Sequence, residues 1–160
     1  MKITGPAWTF GNNVDTDQIT PGHYMDLPIE EMSKHVFEPI APEFVSDFKA
    51  GGIIVGGSNF GCGSSRETAP DALKFLGVAA IVAESFARIF FRNAIAIGLP
   101  VLVCPGIASA VSMGDELEVD FEAARVTNLS TKKQFQATPL HHIMVESLKK
   151  GGIMKMLADT

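Results

Sequence analysis

The feature that most constrains this chain is a short apolar run that leads into a glycine-rich turn and then into a helical pattern. Residues 51–77 read GGIIVGGSNFGCGSSRETAPDALKFLG. The β-branched run Ile53-Ile54-Val55 has glycines on both sides, which is typical of a strand buried on both faces. Beyond the turn, apolar residues at helical spacing predict an amphipathic helix that Gly77 ends; they are Ala72, Phe75 and Leu76.

Two further segments extend this alternation of strands and helices. Residues 78–83 and 99–103 predict buried strands, and residues 86–93 between them predict a short helix. This order of strand, helix, strand, helix, strand is typical of parallel pairing, because each helix crosses over the sheet before the next strand begins.

The C-terminal third carries a different pattern. Residues 115–121 alternate polar and apolar side chains as a half-exposed strand does, and residues 125–129 with 133–137 predict a hairpin. A last helix is predicted with Thr138 as its N-cap and Gly151 at its end. The chain is therefore predicted to be α/β with a mixed parallel and antiparallel sheet.

The stretch from residue 19 to residue 48 departs from both patterns. Four prolines interrupt it, and only the part near residues 29–35 favours a short helix. Long excursions inside a compact domain are usually functional. At this length, residues 1–160 are predicted to form one domain, in which the stretch 19–48 is a long loop.

Charge and composition exclude several classes of protein. The 13 Lys and Arg against 18 Asp and Glu give a net charge of −5, and no long basic run offers a track for phosphates, which argues against nucleic-acid binding. The sequence has no window of 18 apolar residues, and its N-terminus lacks the apolar core of a signal peptide. We therefore expect a cytoplasmic protein with no membrane segment.

The glycine-rich turn concentrates groups that bind anions. Residues 59–67 hold glycines, two serines and Arg66 at the predicted start of a helix, where backbone N–H groups are unpaired. Such a junction can hold an anion or stabilise an alkoxide, and a guanidinium can grip a carboxylate with two hydrogen bonds. On local grounds alone, however, Ser64 and Glu67 fit a helix capping box better than a catalytic site.

Three motifs in a fixed order resemble the swivelling domain of the aconitase family. They are Asp15-Thr16-Asp17-Gln18-Ile19, GCGSSRE at 61–67, and AESFARIF at 83–90 followed by Arg92-Asn93. From residue 10 to about residue 157, the chain is similar to the small subunits of 3-isopropylmalate dehydratase, also called isopropylmalate isomerase, and of homoaconitase. The resemblance implies a three-layer β/β/α fold and one half of a two-chain hydro-lyase.

The resemblance also implies roles for four residues around the turn. Ser64 would be the catalytic base that removes a proton from the carbon next to a substrate carboxylate. Arg66 would clamp a substrate carboxylate, and Ser65 would lend a hydrogen bond and can also cap the helix. Asp17 would lie in the substrate-binding site in a supporting role.

Residues 24–27 fall where the family carries a substrate-selecting loop, here Tyr24, Met25, Asp26 and Leu27. Homoaconitases commonly have an arginine in the place of Asp26, where it would bind an extra carboxylate that an aspartate repels. Met25 and Leu27 suit an apolar substituent such as isopropyl. The expected substrate is 3-isopropylmalate of leucine biosynthesis. Homoaconitate, dimethylmalate or a citramalate-type acid are alternatives, and so is an exposed loop that touches no substrate.

Cofactor and partner expectations follow from the cysteines. In the family, hydroxide leaves toward an iron of a four-iron four-sulfur cluster, whereas this chain has only Cys62 and Cys104, far apart in sequence. The resemblance and this shortage of thiols together imply that a separate large subunit carries the cluster and that this chain binds no metal. We expect an active site at the subunit interface, a small carboxylic acid as substrate, and possible assembly into a higher-order oligomer.

Two other classes stay open at this point. The glycine turn and helix terminus are also typical of a stand-alone module that binds anions or nucleotide phosphates, although the lysine of a P-loop is absent. The negative charge opposes an RNA-binding regulator. Among the remaining residues, Arg88 and Arg92 are expected to pair with acids such as Glu84, and Cys62 is expected to be a small buried residue.

Overall fold

In the computed structural model, which describes residues 1–158, seven strands form one mixed sheet. In chain order they are β1 (Lys2–Thr9), β2 (Ile53–Gly56), β3 (Ala80–Ala83), β4 (Val101–Val103), β5 (Glu116–Asp120), β6 (Arg125–Asn128) and β7 (Lys133–Gln136). The order across the sheet is β4-β3-β2-β1-β5-β6-β7, with parallel pairing from β4 to β1 and antiparallel pairing from β1 to β7. The predicted mixed α/β fold is confirmed, and each predicted strand lies within two residues of its expected ends.

Seven helices accompany the strands within residues 1–158. They are α1 (Thr16–Ile19), α2 (Ile29–Met32), α3 (Phe44–Asp47), α4 (Thr68–Phe75), α5 (Arg88–Ile97), α6 (His142–Lys150) and α7 (Ile153–Ala158), with 3₁₀ turns at Gly22–Tyr24 and Ser33–His35. The helix expected near residues 29–35 is thus present as α2 and the 3₁₀ turn after it. Helix α5 contacts α4, α6 and α7. None of the helices in the described part of the chain is long and apolar enough to cross a membrane.

Strand β1 joins the parallel and antiparallel halves of the sheet, and the sequence pattern did not predict it. Its residues 2–6 pair with β5, and its residues 7–9 pair with β2. Gly5 and Pro6 therefore lie where the strand pairs with β5 alone. Proline has no N–H to donate, but at this position there is no second neighbouring strand whose hydrogen bond would be lost. A Gly-Pro pair inside a run normally argues against a strand, which explains why the pattern concealed this one.

Helix α4 begins at Thr68, three residues after the serine pair. Glu67 occupies the position before it with helical backbone angles and makes no side-chain cap hydrogen bond. The predicted capping box of Ser64 and Glu67 is therefore wrong, and Ser65 is not a cap either. The predicted end is confirmed, since Gly77 follows α4 in the left-handed conformation, with φ +87°. Phe75 is 53% exposed rather than buried, and the core side of the helix is formed by Ala69, Ala72 and Leu73.

The other two predicted helices start later than expected, and α5 also ends four residues later, at Ile97 rather than at Asn93. α5 begins two residues later than expected and extends to Gly98, a left-handed C-cap at φ +83°. α6 begins at His142 rather than after Thr138, because the N–H of Thr138 still donates to the carbonyl of Val103 in the sheet (2.8 Å). Gly151 ends α6 as predicted. The short α7 was not expected.

The stretch 19–48 packs against the sheet through aromatic rings. The ring of Phe44 is fully buried and lies 5.0 Å from Trp8 on β1, 4.8 Å from Phe37 and 4.6 Å from Phe48, measured between centroids. Edge-to-face and stacked pairs at these distances stabilise a core beyond the area that they bury. The long excursion is therefore fixed to the sheet at its C-terminal end, while its N-terminal end approaches the glycine-rich turn.

Phe44→Ala tests this anchor. We expect the free energy of unfolding to fall by about 3–5 kcal/mol, because the change leaves a cavity among three other aromatic rings. Phe75→Ala, at an exposed position of α4, is the control and should change the free energy by about 0.5 kcal/mol or less. Urea denaturation of both variants measures the difference, and equal losses would contradict the proposed anchor.

Candidate active site

The glycine-rich turn is held against the segment that precedes α1. The N–H of Gly61 donates to the carbonyl of Val14, and the N–H of Thr16 donates to the carbonyl of Cys62, both at 2.8 Å. These bonds form an isolated parallel bridge that places Ser64 beside the start of α1. The first and second of the three sequence motifs are thus brought together by backbone contacts alone.

The third motif joins them on the other side of the turn. The N–H of Phe60 donates to the carbonyl of Ser85 (3.0 Å), and the N–H of Ala87 donates to the carbonyl of Phe60 (2.9 Å). The hydroxyl of Ser85 also accepts a hydrogen bond from the N–H of Asn59 (2.8 Å). Between the three motifs lies an open cleft of about 310 Å³, lined by Thr16, Gly61, Gly63, Ser64, Ser65, Arg66, Ala87, Arg88, Ile89 and Phe90.

Ser64 lies at the surface of this cleft. The buried Thr16 hydroxyl donates to the carbonyl of Ser64 (2.9 Å) and lies 3.3 Å from its Oγ atom. The residue itself is exposed, so its hydroxyl can meet a molecule in the cleft. In the described part of the chain, the N–H groups of Gly63, Ser64 and Ser65 donate to no protein acceptor. Free backbone donors beside a hydroxyl are the environment that an alkoxide or a bound anion requires.

Arg66 lies at one wall of the cleft with most of its side chain buried. Its guanidinium forms an ion pair with Asp17, and Nη1 donates to the carbonyl of Thr20 (3.0 Å). A Cβ atom on Gly22 would lie 3.2 Å from Nη2, so glycine leaves room for the guanidinium there. The predicted substrate-binding residues Asp17 and Arg66 are therefore in contact with each other, and the carboxylate of Asp17 holds the guanidinium in place.

Asp15 makes a capping box that the sequence analysis missed. Its carboxylate accepts from the N–H of Asp17 (2.7 Å), and its own N–H donates to Oε1 of Gln18 (2.9 Å). The signal was present as D-x-x-Q before α1. The backbone of Gly63 packs directly on this carboxylate, since a Cβ there would lie 2.6 Å from both of its oxygens. Asp15 thereby shapes both α1 and the turn that carries Ser64.

Tyr24 is held by residues that the sequence gave no reason to select. Its hydroxyl donates to Oε1 of Glu38 (2.7 Å), and its ring stacks on His35 with centroids 3.7 Å apart. Nδ1 of His35 lies 2.6 Å from the second oxygen of Glu38. The hydrogen bonds from His35 and Tyr24 lower the pKa of the Glu38 carboxyl, and the bond to Glu38 raises the pKa of the Tyr24 phenol. Tyr24 is thus fixed in place.

The other three residues of the predicted selecting segment differ in their surroundings. Met25 faces the start of α4, where the hydroxyl of Thr68 donates to its sulfur (3.4 Å). Asp26 and Leu27 are exposed. Met25 and Leu27 also line an open groove beside α4. The segment follows Gly22, which packs against Arg66, whereas none of residues 24–27 lines the cleft itself.

Comparison with known proteins identifies the family. The 3-isopropylmalate dehydratase small subunit 1 of Methanopyrus kandleri is 49% identical over 156 residues, which are 97% of this chain and 92% of that protein. The crystal structure of 3-isopropylmalate dehydratase from Methanocaldococcus jannaschii superposes with a TM-score of 0.93 and 38% identity, over 99% of this chain and 95% of that one. The chain belongs to the 3-isopropylmalate dehydratase small-subunit family.

Two further similarities concern the sequence motifs and the substrate. The family model of the aconitase C-terminal domain matches residues 41–105, which contain the second and third motifs. A methanogen homoaconitase small subunit from Methanothermobacter thermautotrophicus is 48% identical over 99% of this chain and 92% of that protein. Overall sequence identity therefore does not distinguish the 3-isopropylmalate dehydratase subunit from the homoaconitase subunit as the better match. The distinction has to come from the predicted selecting segment.

The residues of this family member do not fit an iron–sulfur cluster. Among the residues that the structure describes, no group of three or more His, Cys, Asp and Glu could hold a metal ion. Burial and the nearby Asp15 raise the pKa of the Cys62 thiol, and burial raises that of Cys104 to about 11, so both are protonated at neutral pH. Cys62 is only half buried, not fully buried as expected.

The expected pairing of Arg88 and Arg92 with Glu84 is wrong. The Glu84 carboxylate instead accepts two backbone hydrogen bonds, from the N–H groups of Gly106 and Ala108, both at 2.7 Å. Glu84 is therefore a structural acid that fixes the turn after β4. Arg88 is exposed at the rim of the cleft, and Arg92 is exposed one helical turn further along α5.

Gly63→Ala tests whether Asp15 shapes the turn. Gly63 and Gly106 both have positive φ angles, +93° and +86°, so alanine costs about 1–2 kcal/mol at either position. A Cβ at Gly106 would meet nothing within 4 Å, whereas at Gly63 it meets the Asp15 carboxylate. We expect Gly63→Ala to lose at least about 1 kcal/mol more than Gly106→Ala in urea denaturation. Equal losses would show that Asp15 does not restrict this position.

Proposed function

We propose that this chain is the small subunit of a cytoplasmic, two-chain hydro-lyase that dehydrates and isomerises 3-isopropylmalate in leucine biosynthesis. The observation that carries the proposal is the exposed Ser64 hydroxyl in a cleft with free backbone donors and Arg66 at its wall. The similarity to 3-isopropylmalate dehydratase small subunits over almost the whole chain supports it. The small-subunit names of these relatives also support a large subunit as partner.

In this proposal, Ser64 is the base. Its Oγ atom takes the proton from the carbon next to a substrate carboxylate, and the electron pair of that C–H bond forms the double bond as hydroxide leaves the adjacent carbon. A serine hydroxyl is a weak base and must act as an alkoxide. The unpaired N–H groups of residues 63–65 and the positive charge of Arg66 stabilise that alkoxide once a partner has excluded water from the open cleft.

Arg66 and its neighbours bind the acid. The guanidinium uses Nη1 on Thr20 and on Asp17, which leaves its other N–H groups for a substrate carboxylate. Asp17 acts as a positioning residue, because its carboxylate holds the guanidinium against the cleft wall. Ser65, exposed next to Ser64, offers a further hydrogen bond to the same acid.

We place the four-iron four-sulfur cluster on the large subunit, because the two cysteines of this chain belong to no group of metal ligands among the described residues. The cluster supplies Lewis-acid chemistry when it is bound there. The residues of this chain account for binding the carboxylate and for holding the proton at Oγ of Ser64.

The selecting segment favours isopropylmalate over homoaconitate. Met25 and Leu27 present apolar groups, and Asp26 is an exposed carboxylate near them. A branched alkyl substituent suits the first two, whereas the third acid group of homoaconitate is repelled by Asp26. A stand-alone anion-binding module is less well supported, because the relatives that match almost the whole chain are named as small subunits, which implies a partner chain.

Ser64→Ala tests the catalytic base. With the cognate large subunit reconstituted under anaerobic conditions, we expect kcat to fall by at least about 10²-fold, while assembly and the melting temperature of the subunit stay unchanged. Ser109→Ala removes an exposed hydroxyl outside the cleft and should keep full activity. Near-normal turnover by Ser64→Ala would remove this residue from the mechanism.

Asp26→Arg tests the selecting segment in the same reconstituted enzyme. Wild type is assayed with isopropylmalate, homoaconitate, citraconate and dimethylmalate, and we expect isopropylmalate to have the highest kcat/KM. In Asp26→Arg, the ratio of homoaconitate to isopropylmalate should rise by about tenfold, as expected for one added carboxylate–guanidinium contact. Glu30→Arg makes the same charge change on α2 and should leave the ratio unaltered. Preference of wild type for homoaconitate would overturn the assignment.

A further inference from the structure

An apolar groove of about 380 Å³ lies between α5, α6 and α7. Ile143 and Met144 on α6 and Met154 on α7 are 52%, 37% and 75% exposed, although each is a large apolar side chain. Helix α7 buries none of its residues. Large apolar side chains exposed beside an apolar groove are typical of a surface that another molecule covers.

The charge at the rim indicates the chemistry of the occupant. Arg88 and Arg92 lie along one side of the groove, both exposed, and neither forms an ion pair with a described residue. Carboxylates placed opposite two such guanidiniums speed association and fix its orientation. The occupant is therefore an apolar segment that carries acidic residues.

The groove is continuous with the catalytic cleft. Arg88 lines both, and the next residue, Ile89, lines the cleft and is 51% exposed. A chain that closes the cleft over Ser64 must therefore cover the start of α5 and reaches the groove directly. This continuity selects the large subunit as the occupant.

We propose that the surface formed by Ile89, Arg92, Ile143, Met144 and Met154, here named the α5–α7 face, docks an acidic, apolar segment of the large subunit. The inference rests on the proposed function, because it takes its occupant from there. A second copy of this chain fits less well, since a two-fold interface would bring the unpaired arginines of both copies together.

The test compares apolar-to-acidic variants on and off this face. Ile143→Asp and Met154→Asp change the face, and Ile40→Asp and Met113→Asp change residues of similar exposure elsewhere, at 41% and 54%. Binding of each small subunit to the cognate large subunit is measured by analytical ultracentrifugation, and the melting temperature of each variant checks its fold. We expect both face variants, and Arg92→Glu, to raise Kd by at least about tenfold, while both controls bind as wild type does.

Each outcome decides between specific alternatives. If wild type and both face variants assemble equally well and turn over substrate, the large subunit does not dock on the α5–α7 face, and the proposed function stands. If wild type neither binds the large subunit nor forms an active enzyme, the proposed function fails and this inference fails with it. If the lone chain forms a dimer that Ile143→Asp dissociates, the occupant is a second copy and the proposal is overturned.

Discussion

The turn that carries Ser64 has almost no regular structure of its own, and its shape is imposed by the chain beside it. Backbone hydrogen bonds join residues 11–16 to residues 57–62, beginning with the N–H of Gly57 on the carbonyl of Gly11 and ending with the N–H of Thr16 on the carbonyl of Cys62. The first of these segments leads directly out of β1, which the sheet fixes on both sides. The sheet therefore holds the turn that carries Ser64 in place through one strand.

The electrostatics of the site follow from this arrangement. The Asp15 carboxylate accepts a backbone hydrogen bond from α1, and the Asp17 carboxylate forms an ion pair with Arg66. Both carboxylates near the cleft therefore already have partners. The donors that stay free are the N–H groups of residues 63–65. The guanidinium of Arg66 is shielded by Asp17, whereas that of Arg88 is exposed at the rim. The cleft therefore attracts negative charge, and it becomes effective only when water is excluded from it.

The sequence predicted the parallel and antiparallel halves of this fold because glycine-bounded apolar runs and the hairpin are local signals. It did not predict β1, because its Gly-Pro pair is tolerated only through a change of strand partner at that point, which is a tertiary property. The predicted cap of α4 was wrong for a related reason: Ser64 is held by Thr16, which is 48 positions away. Glu38 and His35 were missed because an acid and a histidine three residues apart are a common pattern. The pattern becomes meaningful only in the structure, where the ring of Tyr24 lies between the rings of His23 and His35 and its hydroxyl binds Glu38.

The protonated cysteines have a consequence for the lifetime of the subunit. Peroxide and disulfides react with thiolates, and the raised pKa values of Cys62 and Cys104 keep the thiolate fraction of each very small at neutral pH. The two thiols of this subunit therefore react only slowly with oxidants that destroy exposed iron–sulfur centres. In a two-chain enzyme of the proposed kind, we expect cysteine oxidation to affect the cluster-bearing companion before it affects this chain.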